Sequence, residues 1–177
     1  MKFIATDVLD TQQKMMARAT AQLEKPGFAI DPYFYRSHVT YQTELEHIIY
    51  KSWLYAGHIS QIAANGDYFL FDIGEDSIII CRDSNGEVRA MHNICRHRGA
   101  RVCEEASGNR RAFVCPYHGW GYGTDGSLKA ARDMHVMEGF KPEDYSLKQL
   151  KLVVFQGMIF INCDPKAPDF VKPLSNI

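Results

Sequence analysis

The pattern of hydrophobic and polar residues changes near Trp53. Before it, apolar residues recur at helical spacing in residues 10–24 and 43–52, which predicts two helices. The first helix is expected to carry Met15, Met16, Ala19 and Leu23 roughly on one face. The second is expected to begin with a capping box, because Glu46 follows Thr43 by three residues.

After Trp53 the pattern becomes a series of short apolar segments separated by turn residues, which is typical of a β protein. The expected strands are 53–58, 67–73, 77–82, 87–93, 111–114, 150–155 and 158–163. Asn85-Gly86 predicts a hairpin, and the continuously apolar residues 78–81 predict a strand covered on both sides. We therefore predict a mostly β protein of two or three small antiparallel sheets, preceded by an N-terminal helical arm.

The composition narrows the range of functions. Hydrophobic residues make up 46% of the chain and charged residues 23%, which is typical of a globular protein with an apolar core. A net charge of −1 gives no reason to expect binding to nucleic acid or to a membrane surface. No signal peptide is evident, and no apolar segment approaches the ~18 residues of a membrane span. Five cysteines without the spacing of a disulfide framework favour a reducing cytoplasm.

The candidate chemistry lies in two segments, Cys95-Arg96-His97-Arg98-Gly99 and Cys115-Pro116-Tyr117-His118-Gly119-Trp120, which read C-x-H-x17-C-x2-H. This pattern predicts a Rieske [2Fe-2S] cluster, with Cys95 and Cys115 on one iron and His97 and His118 on the other. Glycines after each half allow tight turns around the cluster. A zinc site remains the alternative, since two Cys and two His also suit tetrahedral Zn²⁺.

The charge of these ligands predicts the redox behaviour. Two thiolates and two neutral imidazoles leave the oxidised cluster uncharged, so it accepts an electron more readily than a cluster held by four thiolates. Rieske potentials accordingly lie at roughly −150 to +300 mV, well above those of plant-type ferredoxins. Because the imidazoles can also lose protons, we expect reduction and protonation to be coupled.

Several segments resemble the N-terminal domain of the Rieske non-haem iron oxygenases, in the alpha subunits of the ring-hydroxylating enzymes. They are residues 52–58, 93–100, 113–122 and 125–128, within a resemblance that covers roughly 31–165. The resemblance implies the Rieske fold, with two cluster-binding loops. It also implies a helical arm at 1–52, a Rieske domain at 53–165, and a linker at 166–177 toward a catalytic domain absent from this chain.

Respiratory-chain Rieske proteins resemble the chain less well. Their inter-loop disulfide would require cysteines at Ala100 and Tyr117, and their cluster-bonding serine would fall at Trp120. Tyr122 does match a tyrosine of that branch. Fewer hydrogen bonds to sulfur lower the potential. These differences favour the low-potential oxygenase or ferredoxin branch.

The resemblance implies that a reductase or ferredoxin supplies electrons. They would pass to a mononuclear Fe(II) in a catalytic domain of the same or a neighbouring subunit, within a homo-oligomer expected to be a trimer. The reaction would be O2-dependent hydroxylation or demethylation of an aromatic compound or a quaternary amine. The sequences of residues 115–120 and 124–128 slightly favour the amine. We find no facial triad, since Asp133 and His135 lack a second histidine, and expect no catalytic residue here. A stand-alone Rieske ferredoxin is the alternative.

Other residues near the motif allow two interpretations each. Trp120 is expected either to shield the cluster and present a docking surface or to be an ordinary core residue. Arg98 belongs to a basic group that could receive an acidic redox partner or form a solvated rim. The other members of that group are Arg96, Arg101, Arg110 and Arg111. Cys103 is expected to be a free surface thiol, and His92 a structural strand residue. Cys163, in the last predicted strand, is expected to lie in the core.

Overall fold

The structure is a computed structural model that describes residues 10–170. The chain divides into two compact units, Met1–Ser52 and Trp53–Ile177. Between residues 10 and 170, no helix is both long enough and apolar enough to cross a membrane.

The first unit is helical. It contains α1 (Gln12–Leu23), α2 (His38–His47) and a short 3-10 helix at Ile49–Lys51. The Thr11 hydroxyl accepts a hydrogen bond from the Lys14 amide at 3.3 Å, and the Ser37 hydroxyl accepts one from the Thr40 amide at 3.0 Å. These side chains cap the two helices, because they satisfy amide groups that have no partner within the first turn.

Two details of the helical prediction are wrong. α2 begins at His38 because Ser37 caps it, and Thr43 lies in its interior, where the hydroxyl donates to the Val39 carbonyl at 2.8 Å. Of the apolar face predicted for α1, only Met15 is buried, and Leu23 is 83% exposed. Within the arm, α1 packs against α2.

Between residues 53 and 170, ten short strands form three antiparallel sheets. The strands are β1 (Leu54–His58), β2 (Asp67–Ile73), β3 (Asp76–Arg82), β4 (Val88–His92), β5 (Ser107–Asn109), β6 (Ala112–Val114), β7 (Gly121–Gly123), β8 (Leu128–Ala130), β9 (Lys151–Phe155) and β10 (Met158–Asn162). The sheet orders are β1-β10-β9, β4-β3-β2-β5 and β6-β7-β8. The mostly β prediction is therefore confirmed. The pattern missed β5, β7 and β8, because a three-residue strand is recognised only when it is apolar throughout, as β6 is.

The core lies against the two predicted cluster loops. It joins residues of the second sheet, such as Ile79 and Met91, to Phe113 and Tyr122 of the third sheet and to both motif cysteines. Residues 78–81 of β3 are fully buried, as predicted, and burial raises the pKa of Cys81 to about 12.

The remaining cysteines differ from their predictions. Cys103 is not a surface thiol, because the loop after the first motif folds inward and places it in this same core. Burial raises the pKa of Cys103 to about 11, so the thiol stays protonated at neutral pH. Cys163, expected in the core, is only half-buried.

The first residues of the predicted linker pack against the β1-β10-β9 sheet. The Trp53 indole donates to the Pro168 carbonyl at 3.0 Å, and the Lys151 ammonium donates to the Ala167 carbonyl at 2.7 Å. The Phe170 ring lies 4.5 Å from the Phe160 ring, centroid to centroid. The rest of the predicted linker, 171–177, lies outside the described residues.

Candidate metal centre

Two loops with the same backbone hydrogen bonds carry the four motif residues. In the first loop the Cys95 amide donates to the Ala100 carbonyl at 2.8 Å, and the Gly99 amide donates to the Cys95 carbonyl at 3.0 Å. In the second, the Cys115 amide donates to the Trp120 carbonyl at 2.8 Å, and the Gly119 amide donates to the Cys115 carbonyl at 3.0 Å. The same local turn therefore occurs twice, although the spacing from Cys to His differs.

Each turn needs its glycine for backbone reasons. Gly99 has φ +77° and Gly119 has φ +72°, in the left-handed region that other residues rarely adopt. A Cβ added at either position would meet no atom within 4 Å. Backbone conformation, and not lack of space, therefore selects glycine at both positions.

The loops bring together two thiols and two imidazoles. Cys95 and Cys115 are both buried in the same core. Burial and the neighbouring Cys95 thiol raise the pKa of Cys115. The imidazoles of His97 and His118 lie side by side, with ring centroids 4.6 Å apart. Burial, followed by the nearby His118 and Arg98, lowers the pKa of His97.

These residues fit the predicted cluster. His97 Nδ1 is buried and has no hydrogen-bond partner, which leaves a ring nitrogen available as a ligand. The pairing of thiol with thiol and imidazole with imidazole matches a cluster whose two irons take different ligands. In residues 10–170, no three His, Cys, Asp or Glu side chains are grouped so that they could hold a single metal ion.

Comparisons with known proteins identify the family. The sequence model of the Rieske [2Fe-2S] domain matches residues 52–148, more than half of the chain. The chain belongs to the Rieske [2Fe-2S] domain family. It is 40% identical over 141 residues to the biphenyl 2,3-dioxygenase alpha subunit of Rhodococcus jostii (strain RHA1), a match that covers 79% of this chain and 31% of that subunit.

Solved structures agree with this assignment. Naphthalene 1,2-dioxygenase from Rhodococcus sp., bound to indole, has a TM-score of 0.76 at 33% identity and covers 92% of this chain and 36% of its own. The quaternary ammonium Rieske monooxygenase CntA, in complex with gamma-butyrobetaine, has a TM-score of 0.76 at 34% identity and covers 82% of this chain and 42% of its own. The predicted Rieske fold and the resemblance to oxygenases are thus confirmed. This chain spans less than half the length of each relative.

Tyr122 connects the two loops of the Rieske domain. It is fully buried on β7, directly after the second loop, but its hydroxyl accepts from the Arg96 amide of the first loop at 3.0 Å. The hydroxyl also lies 3.2 Å from Cys95 Sγ. Because its oxygen accepts from Arg96, its proton is available to the sulfur. Burial and this hydrogen bond raise the pKa of Tyr122, so it remains a donor.

Trp120 is a buried core residue and presents no docking surface. Only 2% of it is exposed, and its ring stacks on His97 with centroids 4.8 Å apart and planes 9° apart. On its other sides, Phe140 and Tyr145 make edge contacts at 6.1 and 5.7 Å. The docking prediction failed because residues 140–145, distant in sequence, cover the indole. The sequence did not single out Phe140 or Tyr145.

The imidazole side of the Rieske domain opens to solvent. A depression of about 780 Å³ is lined by His97, Tyr117, His118, Gly119, Trp120, Arg132, Asp133 and Met134. Arg96 and Arg98 of the first loop are exposed, whereas Arg110 is paired with Glu105. Arg101 and Arg111 are exposed as well, so four members of the predicted basic group face solvent beside the one that is ion-paired.

Two other histidines of the Rieske domain, His58 and His92, make structural contacts. His92 belongs to β4, where its amide donates to the Lys148 carbonyl at 2.9 Å, and burial lowers the pKa of its side chain. His58 caps the 3-10 helix Ile59–Ile62, and its Nδ1 accepts from the Ser60 amide at 3.2 Å. The side chain of His135, half of the nearest facial-triad candidate, lies outside what the structure describes.

Proposed function

We propose that this protein is the electron-transfer domain of a Rieske oxygenase. It accepts electrons from a reductase or ferredoxin and passes them to a mononuclear non-haem iron in the same or a neighbouring subunit. That iron site then carries out O2-dependent hydroxylation or demethylation of a small molecule. The family and the oxygenase relatives support this role, since each relative is more than twice as long as the part this chain covers.

One observation carries the proposal. The two thiols are buried behind the loops, whereas the two imidazoles lie at the edge of an open depression. We propose Cys95 and Cys115 as ligands of one iron and His97 and His118 as ligands of the other. When bound, the cluster supplies a one-electron redox couple in the Rieske range of roughly −150 to +300 mV. The protein insulates the thiol end and leaves the imidazole end accessible to a redox partner.

The division of the chain into two units at residue 52, and the family match from residue 52, support a domain organisation. We propose an arm at 1–52, a Rieske domain at 53–165 and a connection at 166–177 to a catalytic domain. We further propose a homotrimer in which the Rieske domain serves a neighbouring subunit. Inter-subunit electron transfer is described for a quaternary ammonium Rieske monooxygenase that is 34% identical over 82% of this chain. All five cysteines are free thiols, which supports a cytoplasmic location.

Two substrate classes are supported. The curated relatives act on biphenyl, benzene and anthranilate, which favours an aromatic substrate. The CntA structures with carnitine and gamma-butyrobetaine support a small quaternary amine. Oxygen uptake by the native oxygenase, measured with one substrate of each class, distinguishes them.

The cluster itself is tested on the purified protein after anaerobic reconstitution with iron and sulfide. We expect equal molar amounts of iron and labile sulfide, and an EPR spectrum of the reduced protein with hyperfine coupling to two imidazole nitrogens. One zinc and no sulfide per chain would support a zinc-stabilised module instead. If the native protein held a stable cluster and exchanged electrons with a reductase but showed no oxygen uptake with either substrate, it would be a stand-alone ferredoxin.

A further inference from the structure

Asn93, two residues before Cys95, is fully buried and uses every hydrogen-bonding atom of its side chain. Its Oδ1 accepts from the Val102 amide at 3.0 Å and from the Cys103 amide at 2.8 Å. Its Nδ2 donates to the Cys103 carbonyl at 2.7 Å and to the Ser77 hydroxyl at 3.3 Å. The amide thus makes two bonds as acceptor and two as donor, which is its full capacity.

These bonds close the base of the first loop. Asn93 precedes the loop, whereas Val102 and Cys103 follow it, so one side chain holds the two ends of the loop together. The Asn93 amide also donates to the Ser77 carbonyl at 2.8 Å, which attaches the same point to β3. In a buried site each of these bonds is costly to lose, because no water replaces the missing partner.

The second loop has no such brace. Its corresponding position, two residues before Cys115, is Phe113, which is buried in the core and makes an edge contact with Tyr68 at 5.6 Å. The second loop is therefore held by apolar packing. The base of the first loop is instead held by the directional hydrogen bonds of the Asn93 side chain.

We propose that Asn93 is a positioning residue that sets the location of Cys95 and His97 relative to Cys115 and His118, and thereby the properties of the cluster. The inference rests on the ligand assignment under Proposed function. In this inference the Asn93 amide affects the reduction potential of the cluster as well as the stability of the loop. Reduction potential and EPR anisotropy respond to ligand geometry and to hydrogen bonding around the sulfurs.

The test compares the wild-type 177-residue protein with three variants. Asn93→Asp keeps the shape but loses both N–H donors, and Ser77→Ala removes only the longest of the four bonds. Asn109→Asp is the matched control, because the exposed Asn109 side chain also donates two hydrogen bonds, to the Asn65 carbonyl and to Asp67, away from the loop base. Each protein is reconstituted and examined by EPR-monitored redox titration, and iron release to a chelator is timed.

We expect Asn93→Asp to change the midpoint potential and g-values and to release iron several-fold faster. Ser77→Ala should change the potential in the same direction but less, and Asn109→Asp should match wild type. Wild-type potential and g-values in a folded Asn93→Asp protein would overturn the inference. If Asn93→Asp does not fold, an unchanged potential in Ser77→Ala overturns it. A wild-type protein without a histidine-ligated two-iron cluster would instead contradict the proposed function.

Discussion

The two cluster loops have the same backbone turn but are held by different forces. Each closes with the same pair of backbone hydrogen bonds and a glycine at positive φ. Around that turn, the first loop depends on the hydrogen bonds of Asn93, whereas the second depends on the packing of Phe113 and Trp120.

The outer surfaces of the loops also differ, because the first is charged and the second is apolar and aromatic. The first loop exposes Arg96 and Arg98, and the second exposes Val114 and Tyr117, whose exposed fractions are 58% and 60%. Hydrogen bonds define direction, while apolar packing excludes water without fixing angles as closely. The comparison teaches that the same local turn can be stabilised by buried hydrogen bonds in one place and by apolar packing in another.

The largest expected effect is loss of the cluster when any one proposed ligand is replaced. It tests whether both loops supply ligands. Cys95→Ser, His97→Ala, Cys115→Ser and His118→Ala should each abolish the two-histidine cluster, since each removes one proposed ligand. Iron and sulfide content and the EPR spectrum provide the measurement. If one of these variants kept the wild-type EPR spectrum, the assignment of that ligand would be wrong.

A large loss of stability is expected when the packing of the second loop is removed. Trp120→Ala deletes a buried ring and should lower the free energy of unfolding by about 3–5 kcal/mol, as for other buried aromatics. It should also expose His97 to solvent. Chemical denaturation measures the first effect. Trp53→Ala is the control, because half-buried Trp53 lies outside both loops, and it should destabilise less without altering the EPR spectrum.

The glycines are expected to respond alike, because the backbone turn is the feature the loops share. Gly99→Ala and Gly119→Ala should each cost about 1–2 kcal/mol, since alanine resists positive φ. Thermal unfolding of each variant provides the comparison. Gly121→Ala is the control, with an added Cβ in ordinary contact with Ala130 at 3.5 Å. A cost confined to one loop would show that the turns are not equivalent.

The hydroxyl of Tyr122 tests the link between the loops. Tyr122→Phe should lower the potential, because Cys95 loses a hydrogen-bond donor, and should cost about 1 kcal/mol of stability. Redox titration and denaturation measure the two effects. Tyr68→Phe serves as the control, since that tyrosine is equally buried but its hydroxyl has no hydrogen-bond partner of normal geometry. A potential that moves equally in both variants would contradict a specific role for Tyr122.

The smallest effects concern the outer surfaces. Arg98→Ala should slow reduction by an acidic electron donor at low salt while leaving cluster content unchanged, because exposed charges steer association and are screened by salt. Tyr117→Ser should slow reduction to a similar extent at low and high salt. Stopped-flow reduction at two ionic strengths separates these cases, with exposed Lys166→Ala as the control. If Arg98→Ala and wild type were reduced at equal rates, Arg98 would have no role in receiving the electron donor and would belong to a solvated rim.

Much of the fold could be predicted, because most strands are long enough to show their period. Residues 78–81 were predicted to be buried and are. α2 was placed too late because Thr43 and Glu46 imitate a capping box, whereas the cap that forms is Ser37, whose hydroxyl reaches the Thr40 amide. A capping motif is a local signal, and only the structure shows which residue caps the helix.

The sequence by itself determined the family, the candidate ligands and the turns that present them, since spacing and glycine position act over a few residues. Only the tertiary structure decided that Trp120 is covered by Phe140 and Tyr145, that Cys103 lies in the core, and that Asn93 braces the first loop. Those contacts depend on how strands and connections pack together. No local pattern reports that packing, because its free energy is realised only when distant segments meet.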